Sequence, residues 1–304
     1  KSGPGRIWAM QKRREPKPYG CMSYCYDSWN NYEGSTFDEN HFLFPELDVL
    51  FLEWRWSTYK NDPKHPKHDP SKFEPDLQRQ LELIEFYRGK CPIIVWDTDL
   101  KVTLDDEERY PDLIWTDPSL ETNRIKHERV SLPFWTDFKE LVPVSQPLPL
   151  YGYVGNNYER DDEFKKFFFS SVDSLRRTGT QVSMYGNWLQ QSPERTSPRE
   201  LIEKNPKIAF NHRMNFYDSL QMMNRFICTT HVSKPRYYET SFMSPRYLEA
   251  LAVGCPALTP KAFKAGGLLG SKFIVDGSMD VYTNVTELKG LSLDDRRAVI
   301  AEQR

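Results

Sequence analysis

The stretch Ser244-Pro245-Arg246-Tyr247-Leu248-Glu249-Ala250-Leu251-Ala252-Val253-Gly254-Cys255-Pro256-Ala257-Leu258 reads as a helix with both ends marked, followed at once by an apolar strand. Ser is a good N-cap, Pro is tolerated at the first helical position, and Gly commonly stands just past the end. Arg246 and Glu249 are three apart, so both project from one face of the first turns. A helix N-terminus carries positive potential and unsatisfied N–H groups, which suit a diphosphate. Arg246 adds a charge-assisted and potentially bidentate partner for phosphate. A carboxylate beside phosphates repels them unless it has another task, and two ribose hydroxyls are the obvious partner for Glu249. The segment therefore predicts a nucleotide-diphosphate site. A surface Arg–Glu pair on an ordinary amphipathic helix is the plainer alternative.

This arrangement resembles the C-terminal domain of GT-B nucleotide-sugar glycosyltransferases, where an Arg/Lys…Glu helix followed by Gly-x-Pro holds the donor nucleotide. The resemblance implies an α/β fold of two Rossmann-like domains facing each other across a cleft. Working outward, the rest of the chain fits that expectation. Its 304 residues exceed what one core usually organises, so two domains of about 150 residues are expected. Strands are predicted at Gly5–Gln11, Leu47–Trp56, Pro92–Trp96 and Leu113–Trp115, with a helix over Pro75–Arg88 striped by Leu77, Leu81, Ile84 and Tyr87. The unbroken PIIVW run at 92–96 is the pattern of a buried parallel strand. Proline-rich Leu141–Leu150 reads as a linker, giving an acceptor-binding domain at 1–145 and a donor-binding domain at 146–304. The second half alternates again: a strand at Leu150–Val154, a helix over Asp161–Arg177, a strand at Gln181–Tyr185 and a helix near Pro198–Lys204. A strand at Ile208–Phe210, a helix at Phe216–Met223, and strands at Phe226–Thr230, Ala257–Thr259 and Phe273–Val275 complete the series.

Chemistry in such folds sits at strand ends. Asp97-Thr98-Asp99 directly follows the PIIVW strand, with both carboxylates on one side of an extended segment. Three readings compete: a metal-binding Asp-x-Asp, a carboxylate that caps the following turn, and a general base for an acceptor hydroxyl. Here the chain resembles the DNA β-glucosyltransferases of T-even type bacteriophages, which glucosylate 5-hydroxymethylcytosine. In that family an apolar strand ends in Thr-Asp, then an aliphatic and a basic residue, as Thr98-Asp99-Leu100-Lys101 does here. The resemblance implies Asp99 as the catalytic base. It also implies donor binding by three further blocks. Gly155-Asn156 with Arg160 matches a Gly-rich turn with two arginines only in part, since one Arg is present and the position of the other is not obvious; Tyr185-Gly186-Asn187 matches an aromatic-Gly-Asn strand end; Arg246 and Glu249 match the last block. His231, at the end of a predicted strand, is a candidate for a donor-sugar hydroxyl, with a core histidine as the competing reading.

The expected activity is transfer of a sugar from a UDP-sugar to a modified pyrimidine in double-stranded DNA, by inversion. The Gly254-x-Pro256 ending fits equally well a GT-B enzyme acting on a protein, glycan or small molecule, and a non-catalytic nucleotide-sugar or DNA-binding module is the third possibility. Net charge is −2, so duplex contacts would have to come from local basic tracts. Lys1, Arg6, Lys12, Arg13, Arg14 and Lys17 form one, and Tyr59–Lys72 another. No dedicated site for Mg or Mn is evident, although such an ion would suit diphosphate departure. Five cysteines without metal-like spacing suggest reduced thiols in a cytoplasmic protein (host cytoplasm if phage-encoded). No apolar run reaches the length of a membrane span, and a monomer is expected.

Overall fold

A computed structural model describes residues 7–8, 49–54, 63–64, 66, 68–69, 75–97, 100–117, 119, 128–129, 144, 146–157, 160–189, 198–264 and 272–304. Asp99, the basic cluster Lys12-Arg13-Arg14 and its neighbours, most of 59–72, and Cys21 and Cys25 lie outside the described residues. Contacts divide the chain into two compact units, Lys1–Pro118 with Thr122–Thr136, and Ser119–Glu121 with Asp137–Arg304.

The first unit is one parallel sheet in chain order: β1 (Ile7–Trp8), β2 (Val49–Glu53), β3 (Ile93–Trp96), β4 (Ile114–Asp117) and β5 (Glu128–Arg129). Helix α1 (Pro75–Tyr87) is the crossover from β2 to β3 and α2 (Leu104–Arg109) the one from β3 to β4. Leu83, Ile84 and Tyr87 of α1 pack with Leu50, Leu52, Ile93 and Val95, so the helical stripe and the apolar strand runs meet in one core. Trp54 and Trp115 close its end edge to face, 5.0 Å apart. Helix α2 was not anticipated; its signal is the Thr103…Asp106 capping box, in which each side chain accepts from the other's backbone N–H.

The second unit begins with β6 (Leu150–Val154), α3 (Asp161–Phe167), α4 (Val172–Arg177), β7 (Gln181–Tyr185), α5 (Pro198–Lys204), β8 (Ala209–Asn211) and α6 (Phe216–Asn224). It continues with β9 (Thr229–Thr230), α7 (Pro235–Glu239), α8 (Pro245–Ala252), β10 (Ala257–Pro260), β11 (Ile274–Val275), α9 (Ser278–Lys289) and α10 (Leu293–Gln303). The helix expected over Asp161–Arg177 is broken by a 3-10 turn at Phe169–Ser171, where the Ser171 hydroxyl donates to the Phe167 carbonyl. That break lets Phe164, Phe167, Phe168, Val172 and Leu175 all reach one core. The strand expected at Phe226–Thr230 is shorter, because Phe226 and Ile227 sit in the turn that enters it.

Two three-stranded parallel sheets, β6-β7-β8 and β9-β10-β11, are joined by a parallel bridge between Tyr151 and Cys228. The Ile227 N–H donates to the Leu150 carbonyl at 2.9 Å, which reinforces the joint. The resulting order, β8-β7-β6-β9-β10-β11, is the Rossmann order with its reversal between β6 and β9. Period-two alternation explains the two faces. Tyr151, Tyr153, Val182 and Met184 point into the core shared with α3, α4 and α9, while Leu150, Val154 and Tyr185 pack toward α6 and α8. Gly152 lies between them because a Cβ there would stand 2.4 Å from the Phe226 ring.

At the ends of β6 and β7 the backbones cross closely. A Cβ on Gly186 would lie 2.2 Å from the Gly155 carbonyl oxygen, and the Gly186 φ of +150° is one that L side chains rarely adopt. Gly186→Ala should therefore cost at least about 2 kcal/mol, read as a lowered urea midpoint. A midpoint equal to wild type would contradict this crossing.

Candidate functional site

The strand-order reversal gathers the candidate donor residues at the C-terminal ends of β6, β7 and β9. Helix α8 starts there: the Ser244 hydroxyl accepts from the Tyr247 N–H, and Pro245 occupies the first turn. Its far end closes in a Schellman motif. The Cys255 N–H donates to the Ala250 carbonyl at 2.8 Å and the Gly254 N–H to the Leu251 carbonyl at 3.0 Å, with Gly254 at a φ of +74°. Both helix ends thus lie where the sequence placed them. A narrow recess in front of α8 is lined by Tyr153, Thr230, His231, Ser244, Arg246 and Tyr247, with Val154, Met223, Thr229 and Val232 completing it.

Arg246 and Glu249 do share a face, and they pair with each other: the Arg246 Nη1 is 2.5 Å from the Glu249 Oε2. The carboxylate side chain is only 5% exposed against 41% for the arginine, so the guanidinium is the outer partner. A guanidinium carries five N–H donors, and this pairing engages one of its nitrogens.

His231 follows β9 and is 3% exposed, boxed by the rings of Tyr247 at 4.7 Å and Phe263 at 5.1 Å. Among the described residues, neither ring nitrogen has a hydrogen-bond partner. Burial, and secondarily the Arg160 charge, lower its pKa to about 3. An unpartnered buried imidazole facing a recess is an uncommon expense in a folded chain, and it suits a ligand that exchanges hydrogen bonds with a neutral ring.

Arg160 ties the recess to the second group of residues. Its Nη1 donates to the Tyr153 hydroxyl at 2.9 Å and the Val232 carbonyl at 3.2 Å, and its Nη2 donates to the Asn156 carbonyl. In turn the Asn156 Oδ1 accepts from the Asn187 N–H at 2.8 Å, and the Trp188 indole N–H donates to the Gly155 carbonyl at 2.9 Å. The Gly155 N–H donates to the Tyr185 carbonyl at 2.8 Å. Gly155-Asn156 and Tyr185-Gly186-Asn187 are therefore one structure. The first turn of α3 carries Asp161, Asp162 and Glu163, so its N-terminus opposes an anion and the positive end on offer is that of α8.

Sequence reasoning missed Tyr153, Met223, Thr229, Thr230 and Tyr247, whose signals are those of ordinary core residues. It also missed Tyr238, which accepts from the Ser233 N–H at 2.9 Å and donates to Glu163 at 2.9 Å, fixing the loop after His231.

In the first unit, Asp97 takes the capping role among the three weighed. It is 2% exposed, and its two oxygens accept from the Lys101 N–H at 2.7 Å and the Val102 N–H at 2.8 Å. Among the described residues no group of three or more His, Cys, Asp or Glu side chains is placed to hold a metal ion. Cys91, Cys228 and Cys255 are not in disulfides. No described helix is long and apolar enough to cross a membrane.

The fold is that of the GT-B transferases. No protein-family model matches the chain, and no curated protein is similar to it in sequence. In structure it is similar to an alpha-glucosyltransferase in complex with UDP and a 13-mer DNA, at a TM-score of 0.53 and 12% identity over 89% of this chain and 80% of that one. It is also similar to a UDP-forming trehalose-phosphate synthase from Burkholderia xenovorans, at 0.52 and 8% identity over 87% and 70%. The N-terminal domain of a Candida albicans trehalose-6-phosphate phosphatase gives 0.51 at 9% identity over 95% and 72%. Likeness at these identities establishes the fold.

The buried histidine makes a pH prediction. Its pKa falls from 6.5 in the unfolded chain to about 3 in the fold, so below pH 6.5 the unfolded state binds a proton that the folded state does not. The stability contributed by neutral His231 is whole above pH 6.5 and is lost as pH drops toward 3, at up to about 1.4 kcal/mol per unit. His231→Phe should flatten the fall in urea midpoint between pH 6.5 and 4.5. An equally steep fall in the variant would refute the assignment.

Proposed function

We propose that this chain is a glycosyltransferase that moves a sugar from a UDP-sugar to the hydroxyl of a 5-hydroxymethyl pyrimidine in duplex DNA. The convergence of Arg246 and His231 on one recess at the reversal point of a Rossmann sheet, with Glu249 paired to Arg246, carries the reading. The GT-B fold supports a nucleotide-sugar donor, and the similar glucosyltransferase bound to UDP and DNA supports the nucleic-acid acceptor. Residues 146–304 hold the donor and residues 1–145 the acceptor.

The roles follow from the chemistry of each group. Arg246 and the N-terminus of α8 bind the diphosphate, and Arg160 adds positive potential from the end of β6. Glu249 accepts from the ribose hydroxyls. His231, held neutral, exchanges hydrogen bonds with the sugar. Gly155, Asn156, Gly186 and Asn187 shape the backbone that the nucleotide approaches, and Tyr185 flanks it. Asp99 takes the proton of the acceptor hydroxyl as its oxygen attacks the anomeric carbon. The bond from that carbon to the diphosphate breaks, UDP leaves, and the configuration inverts. The cationic groups act most strongly on the charge that grows on the leaving diphosphate, which is where binding accelerates a reaction. A divalent Mg or Mn ion is compatible with this scheme, and no step is assigned to it.

Transfer from labelled UDP-sugars to hydroxymethylated and unmodified duplexes tests the acceptor. Label on the hydroxymethylated duplex alone is expected. The likeness to a trehalose-phosphate synthase favours one rival, transfer to a small sugar acceptor, which label on sugars and not on DNA would establish. Asp99→Asn should abolish transfer and leave UDP affinity near wild type; sustained turnover removes the base. A product of retained configuration would likewise rule out single displacement through Asp99. Arg246→Ala should weaken UDP binding about tenfold or more, the scale of a lost charged hydrogen bond of 1.5–3 kcal/mol. Equal affinity in that variant would take the diphosphate away from Arg246.

A further inference from the structure

Helix α10 holds the donor helix from behind. Its buried face carries Arg296, Val299, Ile300 and Gln303. Arg304, just past its end, reaches the C-terminus of α8: Nε and Nη2 donate to the Leu251 carbonyl at 3.0 and 2.9 Å, and Nη2 also donates to the Ala252 carbonyl at 2.9 Å. With the Val253 N–H on the Glu249 carbonyl and the Schellman pair on Ala250 and Leu251, every one of the last four α8 carbonyls is satisfied. A cation at that end also opposes the negative pole of the helix. Gln303 grips the residue after the turn. Its Oε1 accepts from the Ala257 N–H at 3.1 Å and its Nε2 donates to the Ala257 carbonyl at 2.7 Å. Two turns earlier on the same face, Arg296 Nη2 donates to the Phe226 carbonyl at 2.5 Å, next to the entry of β9.

These contacts span the whole turn by which α8 passes into β10. None of them lies in the recess, and none involves a side chain assigned to the donor. An eight-residue helix has little stiffness of its own, so its pose depends on what holds its two ends. Ser244 does so at the front.

We propose that Arg304 and Gln303 are positioning residues for the donor site, fixing α8 from its far end so that Arg246 and Glu249 are presented in a single pose. The inference rests on the reading of α8 as the nucleotide helix. Arg304 is exposed, so its replacement leaves the core intact.

Calorimetric titration of the full chain with UDP tests it, comparing wild type with Arg304→Ala, Arg304→Lys and Arg297→Ala. Arg297 lies on the same helix but pairs only at the surface with Asp294, 3.1 Å away, and serves as the control. Arg304→Ala should weaken UDP binding about three- to fivefold, the range of a helix-terminal charge. Arg304→Lys should recover part of that loss, and Arg297→Ala should match wild type. Amide exchange over 247–255 should quicken in Arg304→Ala alone. A variant with a lower Tm but wild-type UDP affinity and unchanged exchange over 247–255 would mean that Arg304 only stabilises, and would overturn the inference by itself. Wild type that binds no UDP would instead overturn the nucleotide reading beneath it.

Discussion

The joint between β6 and β9 governs the second unit. A parallel pair made at Tyr151 and Cys228 turns two three-stranded sheets into one, and it sets the point where the connections change face. At that point the chains leave in opposite directions and open a crevice at the strand ends. Tyr153, Val154, Thr230 and His231 line the recess because they are the last residues on either side of the joint. Phe226 fills the space beside Gly152 from the α6 side, and the Tyr151 hydroxyl meets that of Thr230 on the other. The joint is packed from both faces.

Charge is arranged around this crevice with consistent sign. Three carboxylates open α3, while α8 opens with serine, proline and arginine. The acidic first turn of α3 thereby leaves the positive pole of α8 as the helix end that suits an anion. Arg160 spends its guanidinium on a hydroxyl and two carbonyls, which stiffens the loop and leaves a positive charge close to His231. Burial first, and that charge second, keep the imidazole neutral. A neutral ring can donate from one nitrogen and accept at the other, which suits hydroxyl-bearing ligands better than a cation would.

Much of this was legible in the sequence, for identifiable reasons. Strands buried on both faces declare themselves as apolar runs, so β3 and β6 emerge within a residue of their bounds. Helix α8 carries its own stop and start signals in Ser244, Pro245 and Gly254. Side chains defined by tertiary contact were not legible. The 3-10 break at Phe169–Ser171 follows from the need to seat five apolar residues against one sheet face, and no local signal marks it. Thr229, Thr230 and Tyr247 look like core residues until β9 and α8 are brought together. Asp97 illustrates the same limit: spacing gave it three roles, and only the amides of Lys101 and Val102 select the cap.

The covered carboxylate of Glu249 has a bearing on how a nucleotide would arrive. The guanidinium of Arg246 lies outermost, so an incoming anion meets it first. On the proposed reading, sugar hydroxyls would reach the acid behind it only after that arm swings off its partner. Capture would then be followed by a first-order rearrangement whose rate levels off as nucleotide concentration rises, and mixing experiments would resolve two phases rather than one.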